Sequence, residues 1–389
     1  MPHPTRRRPA WPTLLVLAPL VAATPGLAQS PPPASAAPTT PPVPSTRPAG
    51  SPTATPDRPA SAAPTAPRPD TVPLQSVARA GRRLVAVGKA GLVILSDDDG
   101  RSWRQTPSPV SVDLTAVRFD GDRIGWIAGH RGTILRTEDG GEHWSVVQDG
   151  ARVADAMLKA AENGNDADSI RAARIAAAKA MAADPSRPFV LIAAEGGDTL
   201  RAIGTGELST ETTDGGRTWR PWSQAINDPS QTPLYGLAER DNVLTLCGAH
   251  GLVLTGHPED GLHPVKPPGD VTLFGVLALD GAMLVFGQQG HAYETAVSPA
   301  DLIAGKAPDW HDVSDPAQTT LTAGLRLADG TVLLGDAAGM VWRLAGKPDA
   351  AALSPAPGNA PFPILAMVEA ADQAVILVGT GGAIRVPPP

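Results

Sequence analysis

A glycine-flanked strand pair that recurs along the chain constrains its fold more than any other feature. Residues 88–96 and 129–137 align without gaps, and each holds a glycine, two further residues, a second glycine and then an apolar strand. The same turn follows an apolar strand at further places, so that the repeats start at Gly88, Gly129, Gly204, Gly248, Gly287, Gly335 and Gly379. Self-similarity of this kind is typical of repeat architectures.

The spacing of these repeats predicts a particular architecture. Apart from one larger gap, successive repeats start roughly 40 to 50 residues apart, which is the length that four short strands and their turns need. Sheets that close radially leave only short, protected edges. We therefore predict an all-β fold, a seven-bladed β-propeller over residues 71–389. The last blade lacks an outermost strand in this scheme, and we expect residues 71–74 to supply it.

Three repeats continue into a sharper signature, S/T-x-D-x-G-x-x-W, and we call these segments the Asp hairpins. Their signature residues are Ser96, Asp98, Gly100 and Trp103, then Thr137, Asp139, Gly141 and Trp144, and finally Thr212, Asp214, Gly216 and Trp219. The aspartate is expected to accept hydrogen bonds from backbone N–H groups of the turn, the glycine permits a positive φ, and the tryptophan covers the sheet. One aspartate per blade cannot converge on one substrate, so we assign all three a structural role.

These segments resemble a known family. The Asp hairpins resemble the Asp-box, or BNR, repeats of propeller proteins, and residues 125–144 resemble the repeat of the photosystem II stability and assembly factor-like family. The resemblance is sharp over about residues 84–219 and then fades, because Gly256 replaces the Ser/Thr and no Asp hairpin follows Gly287, Gly335 or Gly379. It implies a propeller, and for exported members an accessory role in envelope complexes.

The N-terminal region predicts export. Arg6, Arg7 and Arg8 precede an apolar run over residues 14–23 and the small residues before Gln29, which indicates a signal peptide over residues 1–28. That run is shorter than the roughly 20 residues of a membrane-spanning helix, so we expect no transmembrane segment in the mature chain. Residues 29–70 are mostly Pro, Ala, Ser and Thr, which predicts a disordered linker. The expected location is periplasmic or secreted, and the single Cys247 cannot form an internal disulfide.

The one long gap between repeats holds an insertion at residues 151–187, between blades two and three. Asp168 and Ser169 begin a predicted helix that ends at Ala183, and a shorter helix is expected over residues 152–162. We expect the insertion on the face of the glycine turns, where it narrows access to the channel. Two interpretations remain open: the helical pair extends a recognition surface, or it packs on the propeller edge.

The two faces of a propeller differ in the turns they carry. The glycine turns open on the same face as the connections between blades, and we call this the turn face; the Asp hairpins open on the opposite hairpin face. The candidate binding residues at the channel mouth of the turn face are Lys89, His130, Arg131, Glu207, His250, Gln288, Gln289, His291 and Asp336. Three of these are histidines, but a metal site needs convergent support, and we predict neither a metal nor a cofactor.

Composition and motifs bound the function. A net charge of −7 and a pI near 5.6 argue against nucleic-acid binding, and no GxSxG, HExxH, P-loop or dinucleotide motif is present. We predict a monomeric, non-catalytic binding or assembly protein with a protein partner in the cell envelope. The alternative is a sialidase-like or glucanase-like glycoside hydrolase, which needs paired carboxylates or a tyrosine nucleophile with an arginine cluster. The chain has only Tyr235 and Tyr293, and 4% aromatic residues.

Overall fold

A computed structural model of the protein describes residues 61–163, 168–183, 186–205, 208–226, 228, 230–315, 317–346 and 351–388. The strands form seven antiparallel sheets in which sequence neighbours pair. The first strand of each sheet packs against the first strand of the next, and the last sheet returns to the first. The predicted seven-bladed propeller with a short helical insertion is therefore confirmed.

Each blade is a meander that runs from the channel to the rim. Blade one holds β1 (Leu74–Ala80), β2 (Arg83–Gly88), β3 (Val93–Ser96) and β4 (Arg104–Gln105); blade two β5 (Leu114–Asp120), β6 (Ile124–Gly129), β7 (Ile134–Thr137) and β8 (Ser145–Gln148). Blade three holds β9 (Phe189–Glu195), β10 (Thr199–Gly204), β11 (Ser209–Thr212) and β12 (Arg220–Pro221); blade four β13 (Leu234–Arg240), β14 (Val243–Gly248), β15 (Val253–Gly256) and β16 (His263–Val265). Blade five holds β17 (Leu273–Ala278), β18 (Met283–Gly287), β19 (Ala292–Thr295) and β20 (Trp310–Asp312); blade six β21 (Leu321–Arg326), β22 (Val332–Asp336), β23 (Val341–Ala345) and β24 (Ala352–Pro355); blade seven β25 (Ile364–Glu369), β26 (Val375–Gly379) and β27 (Gly382–Val386).

The core lies in the junctions between blades. Each sheet is covered on both faces, which explains why the second strands are near-continuous apolar runs. Leu84 and Leu95 of blade one, for example, form one buried cluster with Val368 and Ile376 of blade seven. Side chains of one inner strand also satisfy the backbone of the next: the Thr115 hydroxyl donates to the Phe189 carbonyl at 2.6 Å. The ring is therefore continuous in both its apolar packing and its hydrogen bonding.

The ring closes differently from our prediction. Residues 71–74 do not form the outermost strand of blade seven; Leu74 begins β1, and Pro69–Thr71 form a 3-10 turn beside β27. Pro69 lies in the 3-10 turn and Pro73 lies within residues 71–74, and neither has an N–H to donate to a ladder. Closure instead uses the first Asp hairpin: the Asp99 carboxylate accepts from the Ala371 N–H, and the Arg385 guanidinium donates to the Asp99 carbonyl, both at 3.0 Å.

The predicted linker ends earlier than expected. The predicted signal peptide and residues 29–60 of the linker lie outside the described residues. Residues 61–70 pack on blade one, where the Ala63 N–H donates to the Ser108 carbonyl at 3.2 Å and the Ala66 N–H to the Gln105 side chain at 2.8 Å. A boundary at residue 70 was therefore wrong, because backbone donors between the prolines find acceptors on blade one. In the described part of the chain, no helix is long and apolar enough to span a membrane.

The insertion forms a helical hairpin at the rim. It consists of α1 (Gly150–Asn163) and α2 (Asp168–Ala183), while the short helices α3 (Ser223–Ile226) and α4 (Pro299–Ile303) lie elsewhere. Both ends are held by one turn, since the Gly150 N–H donates to the Arg131 carbonyl at 2.8 Å and the Gly132 N–H to the Arg187 carbonyl at 3.0 Å. Because α1 packs against β12, the outermost strand of blade three, the insertion covers the propeller edge. The expectation that it narrows the channel mouth was therefore wrong.

Candidate binding face

The turn face is built from a repeated backbone turn. In blades one, four and five the turns are the 3-10 segments Lys89–Gly91, Ala249–Gly251 and Gln288–Gly290. The second glycine has a positive φ and touches the next connection: a Cβ on Gly91 would lie 1.9 Å from the Val110 carbonyl oxygen. This contact explains why the second glycine of the repeat recurs.

The residue before that glycine is also left-handed. Its φ is 61° at Arg131, 55° at His250 and 55° at Gln289. A side chain in this conformation costs roughly 1 kcal/mol relative to glycine. Ala90 adopts the same conformation with φ of 53°, so the strain follows from the turn itself. The turn holds each of these side chains at a fixed position on the face.

At blades one and two, the candidate residues share an acidic partner. Lys89 Nζ lies 2.6 Å from an Asp113 carboxylate oxygen, and the Ala90 N–H donates to the other oxygen at 2.9 Å. Partial burial opposes ionisation of Asp113, but these two donors outweigh it and hold its pKa below the usual value. Burial lowers the pKa of His130 despite the nearby Asp113 carboxylate, and this favours the neutral imidazole. Arg131 follows His130 in the same turn, and its side chain is exposed.

At blades four and five, most of the candidate side chains are exposed. His250 is 82% exposed and lies 3.1 Å from the carboxylate of Asp270, which is equally exposed. Gln288 and Gln289 are both exposed. His291 is half-buried and stacks on the ring of Tyr293, with ring centroids 5.9 Å apart. This part of the face therefore offers amide and imidazole groups to a partner.

Two of the predicted binding residues remain to be placed. Glu207 lies outside the described residues. Asp336 is completely buried, and its carboxylate accepts from the Ala338 and Met340 N–H groups, each at 2.8 Å, and from the Trp342 indole N–H at 2.9 Å. Its prediction as a binding residue was wrong because the repeat was aligned one residue early. The strand register matches Leu321 with Asp336 as it matches Leu74 with Gly88.

Residues of the blade connections complete the surface, and sequence reasoning missed them. Asp113 supports Lys89, Asp270 faces His250, and the Thr320 hydroxyl accepts from the Gln289 N–H at 3.4 Å. Each stands one to three residues before the next inner strand begins. A polar residue at that position was the available signal, because the connections open on the same face as the turns.

The Asp hairpins are satisfied within themselves. In the first hairpin, Asp98 accepts from the Ser102 hydroxyl at 2.6 Å, the Ser102 N–H at 2.9 Å and the Ser96 hydroxyl at 2.8 Å. The Ser102 hydroxyl bond is the main cause that lowers the pKa of Asp98 to about 2. The second and third hairpins repeat the pattern around Asp139 and Asp214, whose hydrogen bonds likewise lower each pKa to about 2. These ionised, hydrogen-bonded carboxylates serve the turns.

The hairpin tryptophans close the same turns. The Trp144 and Trp219 indole N–H groups donate to the carbonyls of Gly141 and Gly216 at 2.9 and 3.0 Å. Trp144 is nearly buried and meets Phe119 edge-on, with ring centroids 6.0 Å apart. Trp103 is half-buried in the cluster between blades seven and one. All three rings therefore pack within the propeller.

Ion pairs connect neighbouring blades on the hairpin face. Arg104 pairs with Glu142 across blades one and two, Arg101 with Asp372 at 2.6 Å across blades one and seven, and Arg136 with Asp198 at 3.4 Å across blades two and three. Asp280 of blade five is shared by Arg240 of blade four and Arg326 of blade six. The charges of this face are therefore largely used within the ring.

The two tyrosines of the chain pack against other aromatic rings. Tyr235 packs against Phe274, with ring centroids 5.4 Å apart, and Tyr293 stacks on His291. The three candidate histidines belong to separate blades, and no group of three or more metal-ligating side chains is found in the described ranges.

Comparisons with known proteins agree on the fold. No protein-family profile and no curated protein sequence matches the chain. Among solved structures, YCF48 bound to a D1 peptide is 16% identical with a TM-score of 0.59, and covers 86% of this chain and 98% of its own. YCF48 from Cyanidioschyzon merolae is 15% identical with a TM-score of 0.58, covering 82% and 95%. The WD40 propeller domain of Doa1 is 10% identical with a TM-score of 0.51, covering 81% and 92%. At these identities the likeness establishes a shared fold alone.

Proposed function

We propose that this protein is a non-catalytic binding or assembly factor that presents its turn face to a polypeptide partner. The observation that carries the proposal is the contrast between the two faces. The hairpin face uses its carboxylates and guanidinium groups in its own turns and in ion pairs between blades. The turn face holds exposed side chains, among them Gln288, Gln289 and His250, at fixed positions on rigid turns.

A rigid scaffold that presents varied loop side chains is the usual form of a protein recognition surface. The solved propeller YCF48, which shares this fold, is bound to a D1 peptide. The family resemblance of residues 84–219 points the same way. These three lines support a polypeptide partner over a sugar or a nucleic acid.

We further propose that the protein is exported and acts in the cell envelope. The support is the arrangement of basic start, apolar run and small residues before Gln29. Mass spectrometry of the protein purified from the cell-envelope fraction tests this proposal. We expect a mass that corresponds to the loss of residues 1–28. Recovery of the protein from the cytoplasm with an intact N-terminus would refute export.

A photo-crosslinking experiment tests the proposed face. A photoreactive amino acid replaces Gln288 on the turn face, and in a matched control it replaces Arg82, an exposed residue on the hairpin face. We expect a discrete protein adduct from position 288 in cells of the source organism, and none from position 82. Adducts from the hairpin face alone would refute the assignment of the face. Turnover of a chromogenic glycoside by the purified protein would refute the non-catalytic assignment.

A further inference from the structure

We infer that a groove on the rim, between the helical insertion and blade three, is a second docking site that binds an acidic, extended segment of a partner polypeptide. One wall of this rim groove is α1, and the other is the end of the third Asp hairpin together with β12. The groove has a volume of about 600 Å³, within the roughly 300–1,000 Å³ of ligand-binding clefts. None of the described turn-face candidates lines it, so the two sites are separate.

The wall on α1 is one continuous stripe of the helix. Its residues are spaced three and four apart, which places them on one side of a helix. They are Arg152, Asp155, Ala156, Lys159, Ala160 and Asn163. The neighbouring stripe fixes α1 on the propeller, because Val153 and Ala154 are buried in the cluster between blades two and three. From Arg152 to Asn163 the helix rises by about 16 Å, the length of about five residues of an extended chain.

Burial separates the lining into an apolar floor and a charged rim. Val147, Ala156, Trp219 and Pro221 are half-buried, and the Trp219 ring meets Trp126 edge-on, with ring centroids 6.4 Å apart. The basic side chains of the lining are all exposed: Arg152, Lys159, Arg217 and Arg220. Successive side chains of an extended segment point to opposite sides. A segment that alternates apolar and acidic residues therefore matches both the floor and the rim.

The rim groove has a positive excess, although the whole chain has a net charge of −7. Its four cations stand against a single lining carboxylate, that of Asp155. Lys159 Nζ lies 2.7 Å from this carboxylate, but both side chains are exposed, and such a pair contributes little. The Arg217 guanidinium donates to the Asp214 carbonyl at 2.7 Å, and no carboxylate pairs with it among the residues that the structure describes. These cations favour an anionic occupant.

The other two cations have carboxylate neighbours just outside the lining. Arg152 lies 3.6 Å from Asp149, and Arg220 lies 2.5 Å from Glu211. Glu211 is buried and also pairs with Arg201 at 2.8 Å, so its charge is divided between two guanidinium groups. Four cations of the rim therefore face three carboxylates when these neighbours are counted, and the positive excess persists.

The same features select a partner polypeptide over two other occupants. A nucleic acid carries a phosphate on every residue, so that a like charge would stand beside Asp155 in any register. A peptide can place an uncharged residue there. The chain's own residues 1–60 hold five arginines and a single acidic residue, Asp57, which is the wrong charge for this groove.

A short synthetic peptide is the probe for the rim groove. Glutamate alternates with leucine over five residues, a length that matches the groove, and the peptide carries fluorescein. It is titrated with the full-length protein while anisotropy follows binding. We expect saturable binding that weakens as the NaCl concentration is raised, because the contacts are between exposed charges. A control peptide with lysine in place of each glutamate should bind at least tenfold more weakly.

Matched variants locate the binding. Arg217→Glu reverses the cation that has no carboxylate partner, and we expect at least a tenfold loss of probe affinity with an unchanged Tm. Arg82→Glu makes the same change at an exposed position outside the groove and should alter the affinity less than twofold. Ala156→Trp fills the groove and should abolish binding, whereas Ala151→Trp, at an exposed position of α1 outside the lining, should not. If Ala156→Trp lowers the Tm, the Arg217→Glu result decides.

The remaining outcomes are equally decisive. An absence of saturable binding up to millimolar probe, equal affinity for the acidic and basic peptides, or an unchanged affinity in Arg217→Glu would overturn the site. Tighter binding of pentathymidylate than of the acidic peptide would overturn the choice of a polypeptide. Dimerisation of the protein that Arg217→Glu prevents would overturn a foreign partner in favour of a second copy. A photo-crosslink from position 160 to residues 1–60 of the same chain would overturn it in favour of the chain's own N-terminal segment.

Discussion

Replacement of Asp336 tests whether a buried carboxylate closes the turn of blade six. The Asp336→Ala variant leaves the Ala338 N–H, the Met340 N–H and the Trp342 indole N–H without their acceptor. Each hydrogen bond to a charged group contributes about 1.5–3 kcal/mol, and partial entry of water offsets some of the loss. We expect the free energy of unfolding to fall by about 3–5 kcal/mol, a large share of the roughly 5–15 kcal/mol of a typical domain.

The conservative variant separates the contributions of the two carboxylate oxygens. In Asp336→Asn, the remaining oxygen still accepts from the two backbone N–H groups, but the amide NH₂ faces the Trp342 N–H. Two donors that face each other leave one hydrogen bond unmade, so we expect a loss of about 1–2 kcal/mol. The measurement is urea unfolding followed by circular dichroism, with Asp309→Ala as an exposed control expected to stay within about 0.5 kcal/mol of the wild type.

A double-mutant cycle with Trp342→Phe completes the test. If Asp336 acts through the indole, the Asp336→Asn change costs less in the Trp342→Phe background than in the wild type, and the two changes are not additive. Strict additivity, or an Asn variant as unstable as the Ala variant, would refute the assignment of the carboxylate oxygens.

Three further predictions follow from the hairpins, the closure of the ring and the single thiol. The fold lowers the pKa of the hairpin carboxylates of Asp98, Asp139 and Asp214 from 3.8 to about 2, so their contribution to stability is present above about pH 4 and is lost as the pH falls towards 2. A variant with all three changed to Asn should therefore show a flatter dependence of Tm on pH over that range. An unchanged dependence would contradict this. Asp372→Ala removes the carboxylate shared by Arg101 and Arg385 at the junction of blades one and seven. The rate of amide hydrogen exchange should then rise more in β26 than in blade four. An equal rise in both blades would contradict a local role of Asp372 in closing the ring. Burial raises the pKa of the Cys247 thiol, which is 0% exposed, so iodoacetamide should modify it only after unfolding; rapid modification of the native protein would contradict its placement.

The repeat carried most of the fold prediction because its determinants are local. A glycine turn and an alternating apolar pattern report on strands a few residues away, and the helices of the insertion begin and end within two residues of the expected bounds. The position of residues 61–73 was not predictable in this way. Their path depends on acceptors such as Gln105 and Ser108, which are distant in sequence.

The candidate face was predicted in outline, and its errors have a common cause. Lys89, His250 and Gln288 lie on the surface where the turn pattern placed them. Asp336 was misassigned because blade six replaces the first glycine of the turn with a residue whose side chain turns inward. The repeat pattern can be aligned in two registers that differ by one residue, and the sequence does not show which of them holds. An exposed carboxylate and a buried one therefore look alike in the sequence, because they differ only in the N–H groups that surround them in the structure.

The attachment of the helical hairpin has a consequence for how this protein could diversify. Its two ends hydrogen-bond to Arg131 and Gly132, adjacent residues of one turn. The turn therefore fixes the two ends of the insertion close together, and the entropic cost of closing the inserted loop rises only slowly with its length. Blade two should therefore accept a longer module with closely spaced termini between these two residues, provided that the module also covers β12, which α1 now packs against.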